Sequence, residues 1–260
     1  MPAAFYEPAG DGFLATELTR GPWDPGAQHA GPPAALLGRA LERLPGGVDM
    51  QVGRITFEIL RSIPIAPLRI EAEVVRPGRK VQMLAAELSV EGEVLMRARA
   101  WRLRRAPIEI PPGVVSTPPG PRFPADADDY EFFPSEHELG YHSAMEMRFS
   151  SGGFMEVGPA TAWLRMRDPL VAAEDPSPLQ RALIAADVGN GISSALDFRR
   201  FLFVNVDLTV HLERMPEGEW VCVDAVTLPQ PTGIGTAESV LGDARGRFGR
   251  ALQTLLIDPR

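Results

Sequence analysis

Hydrophobic positions in the first half of the chain switch from a helical period to a strand-like one. Across residues 31–44, GPPAALLGRALERL, Leu36, Leu37, Ala40, Leu41 and Leu44 recur at helical intervals, and the leading prolines suit a first helical turn. The spacing predicts a buried helix. After Gly46 and Gly47 the pattern becomes β-like over residues 52–60, 68–76, 81–90 and 94–103, with turns marked by Pro64, Pro67, Pro77, Gly78 and Gly92.

The second half repeats this order. Residues 178–187 again read as a helix: Ser177 is placed to cap its start, Leu179, Leu183, Ile184 and Asp187 fall on related faces, and Gly189 and Gly191 are placed to end it. Strand-like stretches return at residues 203–212, 220–228, 234–241 and 247–257. One constant shift carries Pro64 onto Pro216, Pro77 onto Pro229, Leu68 onto Trp220 and Trp101 onto Gln253. A helix followed by an antiparallel meander, twice at one spacing, marks an internal duplication. Residues 5–18 and 144–166 add strand-like stretches ahead of each helix.

A helix wrapped by a curved antiparallel sheet is the hotdog unit. The expected class is therefore α+β, a double hotdog with units at residues 1–103 and 141–260. Between them, in residues 104–140, Pro107, Pro111, Pro112, Pro118, Pro119, Pro121, Pro124 and Pro134 alternate with Asp126, Asp128, Asp129 and Glu131. Few backbone donors and fixed φ angles predict a linker, with Tyr130, Phe132 and Phe133 able to dock it as a strap on a neighbouring surface.

Composition narrows the function class. With 45% hydrophobic and 23% charged residues, the 260-residue chain can bury a substantial core. A formal charge of -8 offers no attraction to nucleic acid or an anionic membrane. Cys222 is the single cysteine, which excludes an internal disulfide and a cysteine-based zinc cluster. Residues 1–12 lack a signal-peptide pattern, and no apolar run reaches the roughly 20 residues a spanning helix needs. A cytoplasmic location is expected.

Three rows resemble a known family, the double-hotdog acyl-CoA thioesterases similar to bacterial acyl-CoA thioesterase II. They are GPWDPGAQHAGPPAALLGRAL at residues 21–41, VDLTVHLERMPEGEW at 206–220 and LGDARGRFGRALQTLL at 241–256. The resemblance implies an acyl-CoA substrate, no cofactor or metal, and a hydrolytic centre with three members. These are an aspartate at the end of the second helix, a threonine or serine at the start of the next strand, and a glutamine in the final strand. Asp187 and Gln253 match the first and third. The middle position falls on Asn205, a departure, because an amide donates to a water or a carboxylate but lacks a hydroxyl's single rotatable proton. The first half carries Arg54 and Trp101 at the matching strand positions and no carboxylate between Gly31 and Leu41, so one site per chain is expected.

Water attack on a thioester needs a polarised carbonyl, a positioned water and a proton acceptor. Asp187 is the expected base, its pKa raised by the C-terminal end of its helix, with Asn205 and Gln253 orienting it and the water. Backbone N–H groups near a helix start are expected to hold the carbonyl oxygen, and Gly31 is a candidate substrate-binding residue. His29 is expected to line the pocket or donate to that oxygen; capping of free helix amides is the plain alternative. Arg199 and Arg200 are candidates for the coenzyme A phosphates, as are Arg76, Arg79 and Lys80. His211, read onto the strand face of Asn205, Asp207 and Thr209, is expected at a rim. Met83, Met96, Met145, Met147 and Met166 suit a pliable acyl tunnel, with core filling the default.

Other signals fail. GISSA at residues 191–195 lacks the strand-turn-helix setting of a nucleophile elbow, and GIGTAE at 233–238 lacks the third glycine of a dinucleotide loop. The four histidines show no metal-ligand spacing, and the HxxxGxxxxP motif of hotdog dehydratases is absent. The rival reading is a non-catalytic acyl-ligand binder on the same scaffold, favoured by Asn205. Free sheet faces are compatible with a homo-oligomer.

Overall fold

The structure, a computed structural model, describes residues 4–46, 49–114, 135 and 137–260. Pro118, Pro119, Pro121, Pro124 and Pro134, with Asp126, Asp128, Asp129, Glu131, Tyr130, Phe132 and Phe133, lie outside the described residues.

The first half runs β1 (Tyr6–Ala9), β2 (Gly12–Ala15), α1 (Gly31–Arg43), β3 (Met50–Ile59), β4 (Pro67–Arg76), β5 (Val81–Val90) and β6 (Glu93–Arg104). The second runs α2 (Tyr141–Ala144), β7 (Met145–Ser151), β8 (Ala160–Met166), α3 (Pro178–Ala186) and α4 (Gly189–Ile192). It continues with β9 (Phe201–Asn205), β10 (Asp207–Leu212), β11 (Val221–Pro229), β12 (Ile234–Asp243) and β13 (Gly246–Pro259). The strands form one sheet in the order β1-β2-β4-β5-β6-β3-β10-β13-β12-β11-β8-β7, with β9 added on β13.

That order is a palindrome once β1 is matched with β7, β2 with β8, β4 with β11, β5 with β12 and β6 with β13. The duplicated sequence has folded as two equivalent units joined edge to edge. They meet where β3 and β10 pair antiparallel, with Thr56 opposite Thr209 and their hydroxyls 3.1 Å apart. Joining the units here removes two exposed strand edges from the middle of the sheet.

Helices α1 and α3 cross on the concave side. Leu36, Leu37 and Leu41 of α1 and Leu179, Leu183 and Ile184 of α3 are fully buried in one core that runs through both halves. Each such side chain contributes about 1.5–3 kcal/mol by leaving water. Gly38 permits the crossing, since a Cβ there would stand 2.3 Å from Leu183 Cδ1. Around the crossing, Arg39 donates to both oxygens of Glu174 at 2.7 and 2.6 Å. Ser177 accepts from the Gln180 N–H and donates to Glu42 of α1. The two units thus form a double hotdog around a shared pair of helices.

Three sequence expectations shift. Helix α1 stops at Arg43, one residue short, because Pro45 pushes Leu44 to an extended ψ of 140°. Gly189 and Gly191 do not end the second helical segment; they lie in the extra turn α4. Gly189 serves close approach instead: a Cβ there would stand 2.5 Å from Ser239 Oγ and 3.2 Å from Gln253 Oε1.

The third shift matters most for the site. The strand expected over residues 203–212 breaks at Val206, whose N–H donates to Thr254 O and whose carbonyl accepts from Ile59 N–H. Asn205 lies opposite Leu255, whereas Thr209 lies opposite Leu252, so one extra residue sits between them. This bulge reverses which side chains point inward. Phe203 is buried inward in β9, but Leu208, Val210 and Leu212 are the buried residues of β10. His211 therefore does not share the face of Asn205, contrary to the unbroken-strand reading. Among the described residues no helix is long and apolar enough to cross a membrane.

Candidate active site

Asp187 caps the C-terminus of α3 with helical backbone angles and is 6% exposed. Gln253 comes from the inward face of β13, and Asn205 from the end of β9, turned inward by the bulge. Asp187 Oδ1 accepts from Asn205 Nδ2 at 2.9 Å and from Gln253 Nε2 at 3.1 Å. Gln253 Nε2 also donates to the Asp187 carbonyl at 3.2 Å. The Gln253 Oε1 accepts from the Asn190 N–H at 3.1 Å, which fixes the amide's orientation.

The other carboxylate oxygen faces the first half. His29 Nδ1 lies 3.1 Å from Asp187 Oδ2. The imidazole stacks on Tyr141, centroids 4.0 Å apart and planes 5° from parallel, and the Tyr141 hydroxyl donates to Ile184 O at 2.8 Å. The Gly31 N–H donates to His29 Nδ1 at 3.1 Å and is also bonded to Asp187. Both units therefore build the site: α3, α4, β9 and β13 from one, the start of α1 from the other.

Burial dominates the electrostatics. It pushes the Asp187 carboxyl up to about 7, against the opposing pull of the Asn205, Gln253 and Gly31 hydrogen bonds. Burial likewise lowers the His29 imidazole to about 3, so His29 is neutral. One proton must lie between Nδ1 and Oδ2. With Asp187 ionised, the Nδ1 proton points at Oδ2 and the Gly31 N–H reaches the carboxylate. With Asp187 protonated, Oδ2 donates to Nδ1 and Nε2 carries the ring proton. The two groups titrate as a unit.

Asp187 and His29 open onto a pocket lined also by Trp23, Asn190, Phe198 and Phe203. A roomier cleft of about 690 Å³ lies away from this chemistry, at the edge of β2 and β4. The start of α1 offers few amides to a carbonyl oxygen: Pro32 and Pro33 have no N–H, and the Gly31 N–H is engaged by His29 and Asp187. Asn190, unmarked as a donor in the sequence reading, is buried beside the pocket and makes no side-chain hydrogen bond among the described residues. The aromatic lining also escaped that reading, because its members are scattered along the chain.

The remaining expected residues fall as follows. Arg199 and Arg200 are exposed beside Phe198, at the pocket's mouth. Met96, Met145 and Met147 are core residues with Met166 packed against them. Gly31 is needed for its size: a Cβ would stand 2.6 Å from Ile184 O, a backbone atom of α3. Gly31→Ala is expected to destabilise the chain by about 1–3 kcal/mol, read as a lower urea midpoint at unchanged slope.

Comparisons with known proteins agree with this architecture. Residues 19–103 match the family described as acyl-CoA thioesterase N-terminal domain, and residues 124–257 match the acyl-CoA thioesterase C-terminal domain. Among solved structures, a hot dog protein of unknown function from Alicyclobacillus acidocaldarius is 17% identical, with 97% of this chain and 95% of that one covered at TM-score 0.73. An acyl-CoA thioesterase II from Mycobacterium marinum is 15% identical over 89% of each chain at TM-score 0.66. A provisional thioesterase II from Thermobifida fusca is 18% identical, covering 98% and 96%, at TM-score 0.76. Among curated proteins nothing matches the chain. With both domain matches in their family order on a double-hotdog scaffold, the chain belongs to the acyl-CoA thioesterase family.

Proposed function

We propose that the protein hydrolyses acyl-CoA thioesters to the free acid and coenzyme A, with Asp187 as general base. The observation that supports this best is the meeting of Asp187, Asn205, Gln253 and His29, from four separate segments, around one buried carboxylate at a pocket. A general base works best when its pKa lies near the working pH, and burial brings Asp187 there.

A water held at the Asp187 carboxylate attacks the thioester carbonyl carbon, and one water proton passes to Asp187. The carbonyl oxygen gains the negative charge, for which the Asn190 side-chain amide lining the pocket is the available donor. On collapse the carbon–sulfur bond breaks, and the proton on Asp187 passes to the leaving thiolate. Gln253 spends both its amide hydrogens on Asp187 and acts as a positioning residue. Asn205 donates to Asp187 where the family has a hydroxyl, and His29 holds the second oxygen.

The test is thiol release from acyl-CoA substrates of graded chain length. Hydrolysis is expected, with kcat/KM rising as pH increases through about 7, where Asp187 ionises. Tight binding of acyl-CoA with no thiol released at any pH would establish the rival reading, an acyl-ligand binder.

A further inference from the structure

The mouth of the Asp187 pocket carries groups that hydrolysis itself does not use. Trp23 and Phe198 both line the pocket, their rings 6.5 Å apart and tilted at 57°. A guanidinium lies over each ring, Arg260 5.7 Å from Trp23 and Arg199 5.7 Å from Phe198. Arg200 lies 6.0 Å over Phe201. The group is tied together by backbone: the Arg260 N–H donates to Arg200 O at 3.0 Å, and Arg260 Nε donates to Phe198 O at 2.8 Å.

All three arginines are exposed, and none makes an ion pair among the described residues. The nearby carboxylate of Asp197 is turned to the Arg199 backbone N–H. Asp258 is exposed two residues from Arg260; since among the described residues neither it nor Asp197 closes an ion pair with the three arginines, their adjacent guanidiniums remain open to an anion in a chain of charge -8. Stacking on aromatic rings orders the guanidinium planes in advance, and a planar fork matches phosphate oxygens two at a time. Trp23, 48% exposed, adds an apolar face at the same place. Phosphates next to a flat ring are the chemistry of a nucleotide.

We propose that Arg199, Arg200 and Arg260, with Trp23 and Phe198, bind the phosphorylated ADP half of coenzyme A and so select coenzyme A thioesters over those on pantetheine or on a carrier protein. This rests on the reading of the Asp187 pocket as a thioester site, and it adds Arg260 and the two rings to the arginines marked in the sequence. The nucleotide is remote from the reacting carbon and is held equally before and during reaction. Its contacts therefore act on KM and leave kcat nearly untouched.

The experiment titrates free coenzyme A and pantetheine into the full-length chain, Arg260→Ala and the triple alanine variant, alongside kinetics with one acyl group on either handle. Coenzyme A affinity is expected to fall about 10-fold in Arg260→Ala and about 100-fold or more in the triple variant. The preference for coenzyme A over pantetheine should fall in step, through KM, and salt should weaken binding in the parent more than in the triple variant. Arg260→Lys, a cation without the fork, should fall between. Undiminished coenzyme A affinity in a triple variant with an unchanged melting curve overturns the proposal, whatever the hydrolysis result. So does faster hydrolysis of an acyl-carrier-protein thioester with the same arginine dependence. Arginine-dependent coenzyme A binding without hydrolysis of any thioester would sustain the rim while removing the enzyme.

Discussion

Asp187→Asn is expected to lower thioester turnover by about 10²- to 10⁴-fold and, at the same time, to stabilise the fold above neutral pH. The activity loss follows from removing the proton acceptor. The stability gain follows from the sign of the pKa shift. The Asp187 carboxyl is pushed up to about 7 in the folded chain, against about 3.9 when unfolded. Below pH 4 both states are protonated and the group contributes nothing. Between about 4 and 7 the folded chain holds a proton that the unfolded chain has released, so stability falls as pH rises. Above 7 the full penalty of a buried charge is present.

Asparagine removes that charge while keeping the contacts to Asn205, Gln253 and His29. Its Oδ1 accepts from Asn205 and Gln253 as before, and its Nδ2 donates to His29 Nδ1 in place of the carboxyl proton. A gain of about 2 kcal/mol is expected at pH 8 and almost none at pH 4. Melting curves across this range check it. Equal pH slopes in the two proteins would mean that Asp187 ionises normally, and unchanged turnover would remove it from the chemistry.

Much of the scaffold was legible because it rests on periodicity and punctuation. The spacing of Leu36, Leu37 and Leu41, the prolines at either side of α1, and the constant shift from Pro64 to Pro216 all report local rules that the fold obeys. Asp187 and Gln253 were legible only through resemblance, since neither has a local signature. The bulge at Val206 was not legible, because it is created by the pairing of β9 and β10 with β13 and β3, and it alone decides that Asn205 faces the site while His211 does not. The loss of amide donors at α1 was readable from Pro32 and Pro33, neither of which has an N–H. Asn190 was hidden for another reason: it lies in the short turn α4, and its backbone N–H is held by Gln253, 63 residues away.

The palindromic sheet brings the two helices together so that both units contribute to the Asp187 site. Each unit supplies a helix to the crossing, and the start of α1 lies against the end of α3, so Gly31 and His29 complete a site whose carboxylate belongs to the other unit. The carboxylate, both amides, Phe198 and Phe203 come from the second unit, and the first supplies His29, Gly31 and Trp23.

Gln253→Leu should have the largest combined effect on stability and activity. Gln253 is 1% exposed, and each of its hydrogen-bonding groups is engaged: two donations to Asp187 and one acceptance from the Asn190 N–H. Leucine fills similar volume but leaves the Asn190 N–H, the Asp187 carbonyl and one lone pair of the carboxylate buried without that partner. An unsatisfied buried group costs about 1–3 kcal/mol, and because these three share one side chain their effects overlap to about 3–5 kcal/mol. Activity should fall as well, since the carboxylate loses one of the two amides that orient it, and the remaining ionised form is less favoured. The kcat/KM profile is therefore expected to shift to higher pH, with the midpoint moving above about 7 as one of the hydrogen bonds that lower the Asp187 pKa disappears. Gln253→Glu separates the two roles. Protonated, it can still donate once to Asp187 and accept from Asn190; ionised, it places a second negative charge against the first. Its stability should fall with rising pH more steeply than that of the parent. A Gln253→Leu protein that melts with the parent and keeps its pH midpoint would show that the amide neither supports the fold at α4 nor holds the base.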